Sequence, residues 1–466
     1  MTQTSTAAPD SSERVSDSSR LGVPLGFADR EDEILRQASR AYTGEQHSLP
    51  GLLPKKLEVL GHYDVLGMED AVAICFWGRS GSWLLQSYLD GHEGLIALPR
   101  NATTRIYAFL ERFASLSLWE KLIAYPTYCE IEEGVSGAFL SGEFAIPAAH
   151  FYACVCGLFE IYGHLPAARL DTRQRFFQFL CAAYAAGAGR LPATPRPLII
   201  HAQHDHNDER ARLFIEDFPR GRFLHTIRDP ISSLDSWYDH ESAAQTFILE
   251  HLPDLERQRY RGYFSSRYLD PAGHGIRSLF RWDRPHRGME DRTCAIRFED
   301  LHLAPEVTMR RLAAWLGIAY RPCLLQSTFN GTPFVNQSGG ASWVGANPPN
   351  AARRSRNLGV VDRSLLFALL HQNFLAWGYP LPRGFARRWV RVCVVAALIL
   401  LPMKMELKNM RLIFRQQVLP ALRDRRIGYT CAAPCYLVIR RMIMIAFIAV
   451  QMRRRMGGKR QILKVL

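Results

Sequence analysis

Two short segments, about 150 residues apart, constrain the fold of this chain more than any other feature. The first is an apolar run over 71–77 that leads into the small-residue turn GRSGS at 78–82. The second is the apolar run FLHTI over 223–227, followed by Arg-Asp-Pro at 228–230. Each pattern predicts a buried strand that passes through a turn into a helix. Apolar strands joined to helices are typical of a parallel sheet covered on both faces.

The rest of the central region repeats this alternation, which predicts an α/β fold with a mostly parallel sheet flanked by helices. The strand candidates are short apolar runs that end in polar turns, at 71–77, 198–202, 223–227 and 294–298. The helix candidates lie at 82–89, 102–116, 173–186, 231–240, 305–316 and 363–377. Asp229 and Pro230 are typical of an N-cap and a first helical residue, and Gly317 is typical of a helix C-terminus.

Composition divides the chain into three parts. Residues 1–45 are predicted to be a disordered or variable leader, because the first twenty are rich in Ser, Thr and charge and lack the apolar core of a secretory signal. Residues 46–382 form the predicted α/β domain. Within it, 330–350 is rich in Gly, Ser, Asn and Pro, which predicts a long irregular loop or lid. Residues 383–466 form a predicted basic helical tail.

The positive charge of the chain lies in that tail. The net charge is +14, yet 381–466 alone has 19 Lys and Arg against two acidic residues, so it carries +17 and the remainder −3. The sequence has no uninterrupted run of 18 apolar residues, so it predicts no membrane-spanning helix. The pattern favours an amphipathic tail on an anionic membrane surface. A basic helical subdomain packed on the core is the alternative, and nucleic-acid binding is disfavoured because few aromatic side chains accompany the arginines.

The ten cysteines are scattered, and their spacing matches neither a zinc ribbon nor a redox pair. We therefore expect no metal, and buried thiols in a reducing compartment.

The first turn has the composition of an anion site. Small residues allow close approach of the backbone, and free N–H groups at a helix start point toward a bound anion. Arg79 would add a guanidinium, and Ser80 and Ser82 would add hydroxyl donors. The spacing is not that of a Walker P-loop, and the Walker lysine that a kinase needs is missing. The alternative is a turn that only packs a strand against its helix.

The second turn adds another cationic strand end. Arg228 follows the strand, and Ser236 lies eight residues later on the predicted helix, on one face with Ser232 and Ser233. An arginine at a strand end and a helix serine can hold one phosphate together. The alternative is that Arg228 pairs with a carboxylate and the serines are ordinary surface residues.

The two turns, in this order, resemble the sulfotransferase superfamily that uses 3′-phosphoadenosine 5′-phosphosulfate (PAPS). Arg79, Ser80, Gly81 and Ser82 match the family's 5′-phosphosulfate turn, and Arg228 and Ser236 match its 3′-phosphate pair with the spacing intact. The stretches DGHEG at 90–94 and IRFEDLHLAPEVTMRRLAAWLG at 296–317 also look like bacterial members. The resemblance covers roughly 72–379 and implies a P-loop-like sulfotransferase fold over 46–382 with PAPS as the donor.

The chain departs from the family at two places. Trp83 and Leu84 stand where the family has a hydroxyl residue and an aromatic that meets the adenine, so Trp83 either contacts adenine or belongs to the core. The Arg-Lys-Gly signature of cytosolic members is missing, and the nearest substitutes are Arg353, Arg354 and Arg356. Of these, Arg354 is the candidate for contact with a donor phosphate.

Sulfuryl transfer needs a base for the acceptor hydroxyl and a cation for the departing phosphate. Arg79 suits the second task. In cytosolic relatives a catalytic His lies in the connection that corresponds to LIIHAQHDH at 198–206. His204 and His206 are therefore the candidate bases, His201 is a weaker one, and strand register places Gln203 nearest the family His. Glu93 is a further candidate, since carboxylate bases occur in the family.

The sequence thus predicts a PAPS-dependent sulfotransferase that acts on a hydroxyl of a glycan, a lipid-linked saccharide or another small acceptor. The tail predicts a cytoplasmic protein, peripheral on the inner face of the cell membrane. The alternative is a catalytically inactive nucleotide-binding scaffold at the membrane, which the departure at Trp83 and the missing Arg-Lys-Gly signature favour.

Overall fold

A computed structural model describes residues 27–76, 79–203, 208–251, 275–277, 279–280, 283–338, 341–351, 356–415, 419–423, 427–456 and 461–466. Within these ranges a central sheet has five parallel strands: β1 (Ala71–Phe76), β2 (Leu95–Ala97), β3 (Leu198–Gln203), β4 (Arg222–Ile227) and β5 (Thr293–Arg297). Their order is β2-β3-β1-β4-β5, so β1 lies between β3 and β4. Cys75 pairs with Gln203 on one side and with His225 on the other. The α/β fold with a parallel sheet is confirmed.

Helices surround this sheet. Those before β4 are α1 (Phe27–Glu45), α2 (Leu49–Leu60), α3 (Ser82–Leu89), α4 (Ile106–Arg112), α5 (Leu118–Glu133), α6 (Ala148–Tyr162), α7 (Ala167–Leu170), α8 (Arg173–Gly187) and α9 (Asp208–Asp217). Those after β4 are α10 (Pro230–His251), α11 (Phe298–Leu303), α12 (Pro305–Leu316), α13 (Pro348–Ala351), α14 (Val360–Leu369), α15 (His371–Ala376), α16 (Arg388–Leu398), α17 (Lys404–Ile413), α18 (Leu419–Arg423) and α19 (Ile427–Met456).

The sheet is buried on both faces, which explains its unbroken apolar strands. Side chains alternate along a strand, so Ala73 and Cys75 join one core, built with α5, α6 and α8. Val72 and Ile74 join a second core, built with α3 and α12. The helix boundaries follow local chemistry: the Asp229 carboxylate accepts a hydrogen bond from Ser232 N at 2.8 Å, and α10 begins at Pro230. This confirms the predicted N-cap.

The C-terminal segment packs on the same body. Val395, Met405, Met444 and Ile448, from helices α16, α17 and α19, are buried in a third core with residues of α14 and α15. The chain end then lies along β5, where Ala295 N donates to the carbonyl of Lys464 at 2.7 Å and Leu466 N donates back to Ala295 O at 2.9 Å. One face of the predicted tail is therefore a structural part of the fold. No helix in the described ranges has the length and apolar run needed to cross a membrane.

Two sequence-based expectations need correction. Residues 27–45 of the predicted leader form α1, which buries Ile34 and Ala38 in the first core. The predicted irregular loop at 330–350 instead contains strands β8 (Val335–Ser338) and β9 (Ala341–Val344), which form an antiparallel pair with Asn336 opposite Trp343.

A shorter pair, β6 (Thr328–Phe329) and β7 (Thr332–Pro333), precedes it. The turn between β6 and β7 is made by Asn330 and Gly331 with φ of 51° and 75°. Asn330 and Gly331, part of the composition that predicted a loop, therefore form the β6–β7 turn, because tight hairpin turns require residues with positive φ.

Helix bounds differ at two further places. The helix predicted over 102–116 begins only at Ile106 and ends at Arg112. The helix predicted over 363–377 is divided into α14 and α15 at Leu370.

Candidate functional site

The two predicted turns lie at one edge of the sheet. Because all five strands are parallel, their carboxyl ends share that edge, where ligands of open α/β sheets bind. The turn at 79–82 follows β1, the turn at 228–229 follows β4, and Phe298 and Glu299 follow β5. The site is built from these three strand ends.

Gly81 sets the geometry of the first turn. It is the N-cap of α3 with a φ of 80°, the left-handed region that disfavours a side chain. A Cβ there would also lie 2.6 Å from Cδ2 of Phe298, so glycine is required twice over. Ser82 is the first residue of α3, whose free N–H groups face the turn. Ser80 is buried and its hydroxyl lies 2.8 Å from that of Thr226, so it ties the turn to β4.

Arg228 joins the second turn to the first. Its Nη1 donates a hydrogen bond to the carbonyl of Arg79 at 3.2 Å, and its guanidinium lies 4.2 Å from the centre of the Phe298 ring. Arg228 is only 6% exposed, whereas Arg79 is exposed. The two arginines that the sequence assigned to one ligand are thus brought together.

The electrostatics of this pair favour an anion. Burial lowers the pKa of Arg228, the carboxylates of Glu299 and Asp229 oppose that shift, and the like charge of Arg79 adds to it. Among the described residues, the buried Nε of Arg228 has no hydrogen-bond partner. A buried cation beside a second cation is costly. A bound phosphate would lower that cost.

Glu299 is a site residue that sequence reasoning missed. Its carboxylate accepts hydrogen bonds from Asp229 N at 3.1 Å and from the hydroxyl of Tyr379 at 2.6 Å. Burial raises the pKa of Glu299. The residue therefore fixes the start of α10 and the position of Tyr379. The signal was the sequence FED directly after a strand, in the stretch that carried the family resemblance.

Ser236 lies half-buried on α10, and a second missed contact adjoins it. Its neighbour Asp235 accepts hydrogen bonds from the backbone N–H groups of Arg356 at 3.1 Å and Asn357 at 2.7 Å. The segment around Arg356 is therefore held against the helix that carries Ser236. The candidates Arg353 and Arg354 lie outside the described residues.

Trp83 lies in a packed aromatic cluster beside the first turn. Its Nε1 donates to the side chain of Asn101 at 3.0 Å, and its ring meets Phe334 edge-on at 6.4 Å. The guanidinium of Arg100 lies over the ring of Phe144 at 4.7 Å in the same cluster. Leu84 is buried in the core behind α3. Trp83 is only partly buried, so these contacts leave both interpretations of it, an adenine contact or a packing residue, as predictions.

The candidate bases differ in where the structure places them. His204 and His206 lie outside the described residues. His201 is buried against Phe214, with ring centres 5.8 Å apart, and burial lowers its pKa to about 3, so it is a neutral core residue. Glu93 precedes β2 at the opposite, amino edge of the sheet, and its hydrogen bond with Arg321 lowers its pKa. Neither His201 nor Glu93 is therefore suited to act as the base here. Gln203 ends β3 at this edge.

One group in the described ranges has the atoms to ligate a metal. Cys75, His225 and His286 are buried, and their ligand atoms lie within 4.8 Å of one another. Asp208 lies 3.1 Å from Nδ1 of His286. Burial raises the pKa of the Cys75 thiol, so the thiol stays protonated. Only a bound metal ion would stabilise the thiolate that serves as a ligand.

Residues 71–322 match the model of the Sulfotransferase family, and this match spans more than half of the chain. The chain therefore belongs to the sulfotransferase family. The recognition made from the two turns is confirmed, and both turns lie inside the matched region.

Solved structures similar to the chain are sulfotransferase domains. That of the Synechococcus PCC 7002 olefin synthase is 17% identical with a TM-score of 0.35, over 69% of this chain and 99% of that one. That of the curacin biosynthetic pathway is 15% identical with a TM-score of 0.33, over 67% and 99%. The sulfotransferase STF9 of Mycobacterium avium is 13% identical with a TM-score of 0.30, over 66% and 77%. A search of curated proteins found no match.

Proposed function

We propose that this sulfotransferase uses PAPS as its donor and a hydroxyl group as its acceptor. The observation that carries the proposal is the arginine pair, in which the buried Arg228 guanidinium hydrogen-bonds the backbone of Arg79. A donor with two separate phosphate groups would place negative charge at both turns. The family match supports the transfer reaction itself.

Each part of the donor has proposed partners in this chain. Arg79, Ser82 and the first N–H groups of α3 hold the 5′-phosphosulfate, and Gly81 leaves room for it. Arg228 and Ser236 hold the 3′-phosphate. Ser80 acts indirectly, since its hydroxyl contacts Thr226 and positions the turn.

In the reaction, the acceptor oxygen attacks sulfur while the bond between sulfur and the phosphate oxygen breaks. The products are a sulfate ester and adenosine 3′,5′-bisphosphate. Arg79 stabilises the charge that forms on the departing phosphate. His204 or His206 accepts the hydroxyl proton, as a neutral imidazole can near pH 7.

The acceptor class is a glycan, a lipid-linked saccharide or another small hydroxylated molecule, and the enzyme is cytoplasmic and peripheral on the inner face of the cell membrane. The basic C-terminal segment supports this location, because its net charge of +17 attracts anionic lipids. An acceptor attached to a lipid would then be concentrated on the same surface.

Donor binding is tested by calorimetry with adenosine 3′,5′-bisphosphate. Arg228→Lys removes the planar fork of donors, and we expect affinity to fall about 10- to 100-fold, the value of a charge-assisted hydrogen bond. The matched control is Arg222→Lys at the other end of β4, where the guanidinium bonds the carbonyls of Trp315 and Leu316. Equal affinities of the two variants would overturn the proposed donor site.

Transfer is tested with labelled PAPS and a mixed acceptor extract. If the wild type forms a labelled sulfate ester and Arg79→Ala does not, the result supports an active PAPS-dependent sulfotransferase. One observation favours the alternative of an inactive nucleotide-binding scaffold: β3 ends in Gln203, which cannot act as a base, where the resemblance placed the family His. Tight bisphosphate binding with no labelled product would establish that alternative.

A further inference from the structure

The long C-terminal helix α19 buries one side against the core and exposes apolar side chains on the opposite side. One side faces the core at spacings of three and four residues, as one helix face requires; its members are Met444, Ile448, Gln451 and Arg455, all at most 9% exposed. The other side lies nearly opposite at 3.6 residues per turn; its members are Val438, Ile439, Met442, Ile443 and Val450, which are 45–64% exposed. A helix that packs only on its own domain has polar residues on its outer side. The outer apolar stripe of α19 therefore calls for a partner.

The neighbouring helices share this property. Of the 22 large apolar side chains that are exposed among the described residues, 13 lie between 389 and 450, a small part of the chain. Besides the stripe of α19 they are Trp389, Leu400, Leu401, Leu407, Met410, Phe414, Leu419 and Leu422. Scattered exposed apolar residues are ordinary, but their concentration in one segment marks an interaction surface.

Exposed cations accompany these side chains. Arg387 and Arg388 precede Trp389, Arg411 and Arg415 flank Phe414, and Arg423 follows Leu422, all at exposed positions. Arg453 and Arg454 are exposed near the end of α19. Apolar side chains interleaved with arginines match the boundary between acyl chains and anionic headgroups, where arginine stems lie along the apolar layer and the guanidiniums reach the phosphates.

We infer that the outer stripe of α19, with the exposed apolar residues of α16–α18, lies in the headgroup layer of an anionic bilayer. A second copy of the chain fits less well, because two surfaces of the same strong positive charge repel each other. A nucleic acid offers no apolar layer for Val438 or Met442. The inference gives a specific surface to the membrane location proposed above, and it stands apart from the donor chemistry because lipid binding is measured without donor or acceptor.

The test uses the full chain and point substitutions. Removing the segment would uncover the core residues that it buries and the edge of β5, so a deletion cannot separate folding from binding. The stripe variant is Ile439→Glu with Met442→Glu, at exposed positions. Its matched control is Val360→Glu with Leu375→Glu, which are 82% and 61% exposed on α14 and α15, outside the segment.

Binding is measured by cosedimentation with phosphatidylglycerol–phosphatidylcholine vesicles and with phosphatidylcholine vesicles. We expect the wild type and the control to bind the anionic vesicles, and the stripe variant to bind at least about tenfold more weakly, since burying even part of two apolar side chains contributes more than 1.4 kcal/mol. Binding of the wild type should fall in neutral vesicles and at high salt. Thermal unfolding confirms that both variants are folded.

Three outcomes would overturn the inference. The wild type could fail to bind anionic vesicles, or the stripe variant could bind as the control does. In the third, light scattering shows a dimer that the stripe substitutions dissociate while no vesicle binding is seen, which assigns the surface to a second copy. Trp389 gives an independent readout, because brominated acyl chains should quench wild-type fluorescence more than that of Trp389→Phe.

Discussion

Two buried arginines show how the carboxyl edge of the sheet differs from the C-terminal segment. Arg455 of α19 is 3% exposed, and Nη1 lies 2.6 Å from the Asp283 carboxylate. Arg228 is 6% exposed and lies beside the like charge of Arg79, with the carboxylates of Glu299 and Asp229 nearby. The fold itself neutralises the first cation. The second lies where we propose that the 3′-phosphate of the donor binds.

The difference teaches where to look for function in a strongly basic protein. Most of the net charge belongs to the C-terminal segment, yet the two buried arginines described there are held by the fold. Arg455 pairs with Asp283, and Arg391 donates hydrogen bonds to the backbone carbonyls of Phe385 and Ala386. Arg79 and Arg228, the cations of the candidate site, lie in the rest of the chain, whose net charge of −3 is close to zero. Burial of one arginine beside a second at the carboxyl edge of the sheet, rather than the number of charges, distinguishes the site.

The largest effect is expected from Arg455→Met. The substitution leaves Asp283 buried without its partner, so the free energy of unfolding should fall by about 3–5 kcal/mol. Denaturant unfolding of the full chain measures it. Arg310→Met is the control, because Arg310 and Glu306 form an exposed pair that solvent screens, so its loss should change the free energy of unfolding little. Equal losses in the two variants would mean that the C-terminal pair is not structural.

Gly81→Ala should act mainly on the site. The left-handed φ costs about 1–3 kcal/mol, and the new methyl group displaces Phe298, which lies over Arg228. Affinity for adenosine 3′,5′-bisphosphate should fall about 100-fold, equivalent to about 2.7 kcal/mol. Gly142→Ala has a similar φ of 85° with no atom near its Cβ, and it reports the conformational cost alone. If both variants bind equally, the close contact with Phe298 has no functional role.

Acid should lower the free energy of unfolding through both regions, because each contains a buried histidine. Burial lowers the pKa of His302, near Arg228, and of His371, near Arg391 and Arg455, from 6.5 to about 4. Above pH 6.5 both folded and unfolded states are neutral. Below it only the unfolded state gains a proton, so stability is lost as pH falls from 6.5 to 4. At pH 5.5 each histidine should lower the free energy of unfolding by roughly 1 kcal/mol, since partial solvent access reduces the full effect of the shift.

His302→Gln and His371→Gln should each reduce this slope of stability against pH, measured by chemical denaturation. His62→Gln, at an exposed position, is the control. A slope that neither substitution changes would show that other groups govern acid unfolding.

The smallest effect is expected where the two regions meet. Lys408 of α17 donates to the Asn357 side chain at 2.6 Å, and Asn357 N donates to Asp235, next to Ser236. Lys408→Met should weaken bisphosphate binding about 2- to 10-fold, corresponding to about 0.5–1.5 kcal/mol. Arg411→Met, exposed on the same helix, should leave binding unchanged. A loss of thermal stability with full affinity would show that the contact serves only the fold.

Features that depend on neighbours in sequence were predicted well. Asp229 caps α10, Gly317 ends α12 with a φ of 70°, and the four strand candidates form strands. Each follows from local backbone preferences or from an apolar run long enough to span a buried sheet. The short β2 was not predicted, since three residues carry too little pattern.

Features that depend on distant contacts were not predicted. The sequence at 330–350 contained the right turn residues, but the hairpins form because Phe329 and Phe334 bury themselves against Phe144 far along the chain. The roles of Glu299 and Asp235 were missed for the same reason, because their partners are Tyr379 and Asn357.

The sequence by itself determined that this chain has parallel strands ending in two cationic turns, since strand, turn and cap chemistry act over a few residues. Only the tertiary structure decided that Arg228 meets the backbone of Arg79 and that α19 buries one side while exposing apolar side chains on the other. The physical reason is that burial and pairing are properties of the assembled fold. A side chain's environment is set by residues that the chain brings from far away.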